Sequence, residues 1–319
     1  MGTSVEEVVE ELVKTRDIFD AMKFENRNDL FGMLVSKGIR NMTLWEAMNK
    51  ANQITTLSCV PKRYFDRLVH TKNLTTLFTV LVDDIADKYK DGKLLNEISI
   101  IPYEEEIGMV LVPERNSNSS LSLAREAWRE ILSFLKTGPQ FHQFKDLLHF
   151  DIGELIQCQR YNYSINITPS LCNCEEYLAY GTHNFNVKPH MTMDLIFSPD
   201  FDKEELSSFR TGLHHIQIAI QLVNDVYTVE REIQDEVSFG NYATIYSMEN
   251  DLIDFKQVYG DKAYEVIESF AMEKFESLWE HHMGQAKASL ENLKSFDVEK
   301  FLVSIFKIRK MYEMACGLM

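Results

Sequence analysis

The chain has 319 residues, 45% of them hydrophobic, so it can bury one large core or two modest domains. It carries 49 acidic and 33 basic residues, a formal net charge of −16, and no block rich in lysine or arginine stands out. This composition argues against a nucleic-acid partner, and no apolar run reaches the roughly 18 residues that a membrane span requires.

Cysteine usage and the N-terminal stretch predict a reducing compartment. The five cysteines are odd in number and scattered, and the stretch MGTSVEEVVEELVK is acidic and polar, unlike a secretory signal. We therefore predict a reduced protein in the cytoplasm.

An acidic cluster directly follows an apolar run in TVLVDDIADKYKDG (79–92). If residues 72–90 form a helix, Asp83 and Asp87 are four residues apart and share a face, with Asp84 about 100° around. Like charges at this spacing repel, so a cation is expected to neutralise them, and Mg²⁺ suits hard carboxylate oxygens. A solvated helix end is the alternative for this stretch taken alone.

Loop signals divide the chain into helices. Proline and glycine occur 7 and 13 times, and no proline follows Pro199, where apolar residues recur at helical spacing. Loops are expected at six places: 91–103, 113–120, 136–140, 166–170, 187–190 and 198–202. Residues 98–115 could hold short strands, but Pro102 and Pro113 break that segment, and a helix or a loop fits it equally well. About ten to twelve helices remain, which predicts one all-α domain over residues 1–319.

A second polar stripe lies about 140 residues after the acidic cluster, in HHIQIAIQLVNDVYTVEREIQDE. Asn224, Thr228 and Glu232 fall on one helix face and supply an amide, a hydroxyl and a carboxylate, all hard oxygen ligands. Arg231, beside Glu232, is placed to contact a metal-bound phosphate. An ordinary solvated face is the alternative. Two such stripes on two core-forming helices predict a shared cavity that clamps Mg²⁺ and a diphosphate.

The two stripes together resemble the motifs of class I terpene synthases (terpene cyclases) of the single-domain microbial type. DDIAD at 83–87 is similar to the aspartate-rich DDxxD, and NDVYTVERE at 224–232 is similar to (N/D)Dxx(S/T)xxxE. The segment TPS…EEYLAYGTHNFNV (168–187) resembles the family's segment that leads into a broken helix. The resemblance covers roughly residues 70–312. Prenyl diphosphate synthases usually carry a second aspartate-rich motif, which is missing here, so cyclisation is favoured over elongation.

The resemblance implies a helical bundle around a central cavity, the class I terpenoid synthase fold, with three Mg²⁺ ions between the motifs. It makes six side chains the metal ligands: Asp83, Asp84, Asp87, Asn224, Thr228 and Glu232. Asp83 is the main ligand of the first motif, and the second motif chelates one further ion. Catalysis would rest on Asp83 together with the second motif.

Two departures from the family pattern concern the diphosphate. The family usually has an arginine that senses diphosphate where this chain has Gly181, and Arg160 and Lys188 are the nearby cations. Near the C-terminus the family often has an adjacent Arg-Tyr pair, whereas this chain has Arg309 and Tyr312, three residues apart. These two residues are expected to bind the diphosphate together with the arginine of the second motif.

The predicted cavity must be dry and aromatic, because water quenches a carbocation and ring faces stabilise it. Five aromatic residues are candidates for its wall, each with an ordinary core position as the alternative: Phe78, Tyr180, Phe185, Trp279 and Phe306.

The function predicted from the resemblance is a Mg²⁺-dependent terpene cyclase. It would ionise a linear prenyl diphosphate, farnesyl diphosphate first and geranylgeranyl diphosphate next, to an allylic carbocation and release a cyclic terpene and diphosphate. A prenyl diphosphate synthase, or a lyase with acyclic products, is one alternative. A catalytically silent helical binding protein is another. The oligomeric state is left open, with a homodimer as one option.

Overall fold

The computed structural model describes residues 27–107, 119–259 and 263–315, and within these ranges the regular structure is helical with no strand. The twelve α-helices agree with the expected number, and we label them in chain order. They are α1 (Arg27–Ser36), α2 (Met42–Thr55), α3 (Lys62–Asp84), α4 (Gly92–Ile107), α5 (Ser119–Leu135), α6 (Phe141–Ile167), α7 (Cys174–Tyr180), α8 (Val187–Ile196), α9 (Leu206–Gln234), α10 (Tyr242–Glu249), α11 (Ala263–Leu290) and α12 (Val298–Ala315).

Helix α3 is the central helix of the fold. It begins after Pro61, and every residue from Leu68 to Val82 is buried, because α3 packs against α2 on one side and α5 on another. The helix continues as a π-helical turn, Ile85–Tyr89, which ends at Lys90 in the left-handed conformation with φ 49°. The helix expected over 72–90 is therefore confirmed, with an earlier start and a widened last turn.

Helix α9 is the second long element of the core. It packs against α11, α12 and α8, and most of its residues between Phe209 and Val229 are buried. Most buried apolar side chains form one large cluster that runs from Leu30 to Tyr312, and a smaller second cluster includes Val229, Phe239 and Ile267. This continuity is compatible with one domain; the stated domain, 1–319, includes residues outside the described ranges and stays a prediction.

Two of the expected loops are helical. Residues 92–103 belong to α4, which Asp91 starts by accepting hydrogen bonds from the backbone N–H groups of Lys93 and Leu94. Residues 187–190 begin α8, where Pro189 sits in the first turn and forfeits no internal hydrogen bond. Both loop predictions were wrong over these residues, because the helices accommodate Pro102 and Pro189.

The other expected loops agree more closely with the structure. Residues 136–140 connect α5 to α6, and 198–202 follow α8. Residues 166–170 contain the end of α6 and the start of a short 3₁₀ segment. The loop at 113–120 lies mostly outside the described residues, and the strand alternative is wrong for residues 98–107, which are helical.

A buried ion pair joins α3 to α8. Lys72 Nζ lies 2.6 Å from Asp194 Oδ1, and both side chains are inaccessible to solvent. Burial lowers the pKa of Lys72 and raises the pKa of Asp194, while their mutual attraction opposes both shifts. Asp194 also accepts a hydrogen bond of 3.0 Å from the backbone N–H of Leu57. The pair ties three segments of the chain together.

A group of histidines lies where α9 meets α11. His215 Nδ1 and His282 Nδ1 are 3.0 Å apart, so one ring donates and the other accepts. The neighbouring rings are those of His214 and His281. Burial, followed by the nearby imidazoles, lowers the pKa of His282 to about 4. These neighbours give the imidazole of His282 no counter-ion, so it favours the neutral form.

Within the described ranges, no helix is both long enough and apolar enough to cross a membrane.

Candidate active site

A cavity of about 380 Å³ lies between α2, α3, α8, α9 and α12. Much of its wall is apolar and comes from α2, α9 and α12, with residues such as Leu44, Met48, Ile220, Ile305 and Ile308. Polar side chains gather where α3 passes into its π-helical turn and on the facing part of α9. The cavity thus joins an apolar compartment to a polar mouth.

The first motif places two of its three aspartates on the cavity wall. Asp83 and Asp87 line the cavity, as their spacing of four residues predicts. Asp83 Oδ1 accepts a hydrogen bond of 3.2 Å from Asn184, and Asp87 Oδ1 accepts one of 3.0 Å from Asn166. Asp84 is not among the residues that line the cavity. The two cavity-facing aspartates are therefore oriented by amides from the neighbouring elements.

Arg40, in the short connection between α1 and α2, neutralises part of this acidic cluster. Its Nη2 lies 2.8 Å from Asp83 Oδ2 and 2.9 Å from Asp84 Oδ1. Lys88 adds a contact of 3.0 Å to Asp84 Oδ1 from the π-helical turn. Arg40 itself lines the cavity. The like charges that the sequence brings together are thus opposed by cations of the chain.

The second motif contributes Asn224 and Glu232 to the same cavity. Thr228 is buried behind them, and its hydroxyl donates to Glu232 Oε1 at 2.6 Å. Asn241 donates to the other carboxylate oxygen, Oε2, at 2.9 Å. Asn224 has no side-chain hydrogen bond to any residue in the described part of the chain, so its amide oxygen is available to a ligand.

Asp225, the second residue of this motif, also lines the cavity, but its carboxylate is occupied by hydrogen bonds from neighbouring elements. It accepts hydrogen bonds from the Tyr177 hydroxyl at 2.7 Å, from Gln221 at 2.8 Å and from the backbone N–H of Tyr242 at 3.2 Å. Burial, and then the charge of Glu232, raises the pKa of Asp225 to about 8. Asp225 therefore anchors α9 to α7 and α10 at the level of the motif.

The carboxylates of the two motifs are close enough to affect each other's ionisation. Burial, followed by the charges of Asp83 and Glu232, raises the pKa of Asp87 well above its ordinary value. Burial also raises the pKa of Glu232, and Asp83 contributes to that rise. A divalent cation between the motifs would remove this repulsion.

The donor set fits a hard divalent cation. It consists of carboxylate, amide and hydroxyl oxygens, which Mg²⁺ prefers, and it includes the amide of Asn224. Among the described residues, however, no three histidine, cysteine, aspartate or glutamate side chains already converge on one point. Two of the aspartates are held by Arg40 instead. The ligands are thus present but must regroup to hold a metal.

The three residues expected to bind diphosphate are divided by the structure. Arg231 and Tyr312 line the cavity, and the Arg231 guanidinium lies 3.5 Å from Glu232 Oε1. Arg309 lies outside the lining. Its guanidinium binds Glu276 at 2.5 Å and Glu313 at 3.1 Å. In this conformation Arg309 joins α11 to α12 and does not reach the cavity.

Of the five aromatic candidates, Phe185 lines the cavity, and its ring packs edge-on against Tyr312 with centroids 6.1 Å apart. The other four have structural positions. Phe78 packs on Trp128, Trp279 packs on Phe306, and Tyr180 is 55% exposed. The alternative of an ordinary core position holds for Phe78 and Trp279, whereas Tyr180 and Phe306 lie at the surface.

The helix break at Gly181 is confirmed, because α7 ends at Tyr180 and a 3₁₀ turn follows before α8 begins. A Cβ atom at Gly181 would lie 2.5 Å from the ring of buried Tyr177, so the close packing of this ring requires glycine. Of the nearby cations, Lys188 is bound by Glu154 at 2.9 Å and Arg160 reaches toward Asn96. Neither lines the cavity.

Sequence reasoning missed Arg40 and Asn241. Arg40 stands alone in KGIRNM, far from either motif, and no spacing pattern marks it. Asn241 does carry a local signal, because it caps α10 by accepting a hydrogen bond from the N–H of Ala243. That signal predicts a helix start but not the bond to Glu232.

A helical fold whose two oxygen-rich motifs face one cavity is the arrangement expected of a class I terpene synthase. A family model described as terpene synthase family 2, C-terminal metal binding, matches residues 74–268, and the chain belongs to this family. The matched region contains both motifs, whereas Arg40 and Tyr312 lie outside it. No curated protein matches the chain.

Proposed function

We propose that this terpene synthase is a Mg²⁺-dependent cyclase that ionises a linear prenyl diphosphate and releases a cyclic terpene and diphosphate. Farnesyl diphosphate is the first expected substrate, and geranylgeranyl diphosphate is the next. The observation that carries the proposal is the shared cavity, in which Asp83, Asp87, Asn224 and Glu232 face an apolar compartment. The cytoplasmic location, predicted from cysteine usage, and the three Mg²⁺ ions, implied by the resemblance, belong to the same proposal.

The residues proposed to bind metal and diphosphate lie at the polar mouth of the cavity, and those proposed to surround the hydrocarbon form its apolar wall. Metal ions, when bound, neutralise the charge that develops on the departing diphosphate. Asp83 and Asp87 on one side, and Asn224 and Glu232 on the other, would hold them. Arg231 supplies a further positive charge at the same mouth.

The apolar wall protects the reactive cation. The apolar side chains of α2, α9 and α12 would limit the access of water to the cation, which delays quenching. The rings of Phe185 and Tyr312 offer π-faces or edges beside it, and a ring face attracts a cation. The shape of this wall would determine how the chain of the substrate folds before ring closure.

Product analysis tests the proposal. The purified protein is incubated with Mg²⁺ and prenyl diphosphates of 10, 15 and 20 carbons, and the volatile products are analysed by gas chromatography–mass spectrometry. Cyclic hydrocarbons or alcohols are expected. Acyclic products would favour the lyase alternative, and a longer diphosphate formed only with isopentenyl diphosphate would favour the synthase. No turnover of any substrate would favour a silent binding protein and overturn the enzyme reading.

Two substitutions test the assigned site. Asp83→Ala and Asn224→Ala each remove one oxygen ligand from one side of the cavity, and we expect either change to abolish turnover. The helical circular dichroism should stay unchanged, since neither side chain belongs to the apolar core. Arg129→Gln, at an exposed position on α5, is the control and should retain activity. Full activity in either alanine variant would contradict the assignment.

A further inference from the structure

Arg40 occupies the position of a counter-ion in the acidic cluster. One nitrogen, Nη2, contacts both Asp83 Oδ2 at 2.8 Å and Asp84 Oδ1 at 2.9 Å. These oxygens belong to the first motif, whose aspartates are the expected metal ligands. The guanidinium and a metal ion therefore need the same oxygens.

The segment that carries Arg40 is held in place on both sides. The indole N–H of Trp45 donates to the carbonyl of Ile39 at 2.9 Å. Asn41 caps α2 by accepting a hydrogen bond from the N–H of Leu44 at 2.9 Å. Arg40 itself has φ 58°, a left-handed conformation that is costly for a residue with a Cβ atom. The backbone is thus anchored, and a change of partner would involve the side chain alone.

In the described part of the chain, the other cations near the cluster do not bridge the two aspartates. Lys88 contacts Asp84 with a side chain that is 46% exposed, and Arg231 lies across the cavity beside Glu232. Among the described side chains, Arg40 is the one that contacts both aspartates and lines the cavity.

We propose that Arg40 is an internal competitor of the metal for Asp83 and Asp84, and that it couples metal binding to diphosphate binding. Without metal, the guanidinium holds the two aspartates. Metal binding displaces it, and the freed guanidinium remains at the cavity mouth, where it pairs with the diphosphate of the substrate. This proposal rests on the proposed function, since the anion is that of a prenyl diphosphate.

The coupling has a physical basis in charge. A metal ion replaces one positive charge on the aspartates by two, and the released guanidinium adds a further positive charge for an anion. Each ligand therefore raises the affinity of the protein for the other, and thermodynamic linkage makes the two increases equal. A purely structural role for Arg40 would instead weaken both binding events.

Two titrations separate these roles. Mn²⁺ binding without any anion is followed by the loss of the electron paramagnetic resonance signal of the free ion. Binding of inorganic pyrophosphate at saturating Mg²⁺ is followed by calorimetry. We expect Arg40→Gln to bind Mn²⁺ several-fold more tightly, because its competitor is gone, and to bind pyrophosphate about tenfold or more weakly, because a charged partner is lost.

Matched variants complete the test. Arg129→Gln, whose side chain is 59% exposed, should leave both affinities unchanged. Arg40→Lys keeps the charge but not the planar guanidinium. We therefore expect it to show a smaller gain in Mn²⁺ affinity and a smaller loss of pyrophosphate affinity than Arg40→Gln. Circular dichroism verifies that each variant is folded, and Arg40→Lys carries the test if Arg40→Gln does not fold.

The results distinguish this proposal from the proposed function. Unchanged or weaker Mn²⁺ binding in Arg40→Gln, or unchanged pyrophosphate binding, would overturn the role of Arg40. A wild-type protein that binds neither probe would overturn it as well. A wild-type protein that shows the expected affinities, but forms no product from any prenyl diphosphate, would overturn the cyclase proposal and leave the coupling by Arg40 supported.

Discussion

Replacing Gly181 by alanine tests the close packing at the helix break. The backbone of Gly181 has φ −72° and ψ −15°, which any residue adopts without strain. The added methyl group therefore acts through its contacts, and it would lie 2.5 Å from Cδ2 and 2.6 Å from Cε2 of Tyr177. Because Tyr177 is fully buried, its ring must shift within a packed core.

We expect Gly181→Ala to lower the free energy of unfolding by about 1–3 kcal/mol, the usual cost of overpacking. The same substitution without a clash stabilises a protein by about 0.5–1 kcal/mol, because glycine loses more chain entropy on folding. Gly284→Ala provides that control, since Gly284 lies inside α11 and its added Cβ meets no atom within 4 Å.

Urea unfolding followed by circular dichroism measures the difference. At an unchanged slope, the midpoint should rise or stay constant for Gly284→Ala and fall for Gly181→Ala. Turnover should fall as well, because the Tyr177 hydroxyl holds Asp225 within the second motif. A Gly181→Ala protein that unfolds at or above the wild-type urea concentration would refute the packing argument.

Three further substitutions test other parts of the structure. Lys72→Met leaves Asp194 buried without its partner, and we expect the free energy of unfolding in urea to fall by about 3–5 kcal/mol. Asn241→Ala removes a hydrogen bond to Glu232, and we expect the Mg²⁺ affinity in calorimetry to fall about tenfold. His282, with its pKa lowered to about 4 from 6.5, contributes stability that is present above pH 6.5 and is lost as the pH falls toward 4. His282→Gln should therefore reduce the fall of the thermal midpoint over this range.

Surface positions supply the controls for these three variants. Lys307→Met, Asn250→Ala and His142→Gln change the same residue types at exposed sites and should behave like the wild type. A Lys72→Met protein as stable as the wild type would contradict the argument for the buried ion pair. An unchanged Mg²⁺ affinity in Asn241→Ala would contradict the role of Asn241 in orienting Glu232. An unchanged dependence of the thermal midpoint on acid in His282→Gln would contradict the role assigned to His282.

The fold class was predictable because the apolar periodicity is local. The burial of α3 and α9 follows from apolar residues at helical spacing, and the all-α fold follows from many such stretches. The helical state of residues 92–103 and 187–190 was not predictable from proline alone. Pro189 is tolerated in a first turn, and Pro102 lies inside a helix whose packing outweighs its missing hydrogen bond.

The candidate site was predictable where its oxygen ligands recur at helical spacing. The pairs Asp83/Asp87 and Asn224/Glu232 come to the cavity because each lies on one helix face. Contacts between distant segments leave no such pattern. The pairing of Arg40 with Asp83 spans 43 positions of the chain, and only the tertiary structure brings them together.

The aromatic wall shows the same limit. Phe185 faces the cavity, but Phe78, on the same helix as the aspartates, faces Trp128 in the core. Which side of a fully buried helix lines a cavity depends on the shapes of its neighbours, and its own sequence does not mark that side. The glycine at position 181 likewise became understandable only from the position of the Tyr177 ring.

The claim that this cavity ionises prenyl diphosphates can be tested by measuring pyrophosphate release from farnesyl diphosphate as the sole substrate. We expect the wild-type protein to release inorganic pyrophosphate in the presence of Mg²⁺, chelation of the metal to stop the release, and the Asn224→Ala variant to release none. No isopentenyl diphosphate should be needed. Absence of release from farnesyl diphosphate, and equally from the 10- and 20-carbon diphosphates, would contradict the claim that this cavity ionises prenyl diphosphates.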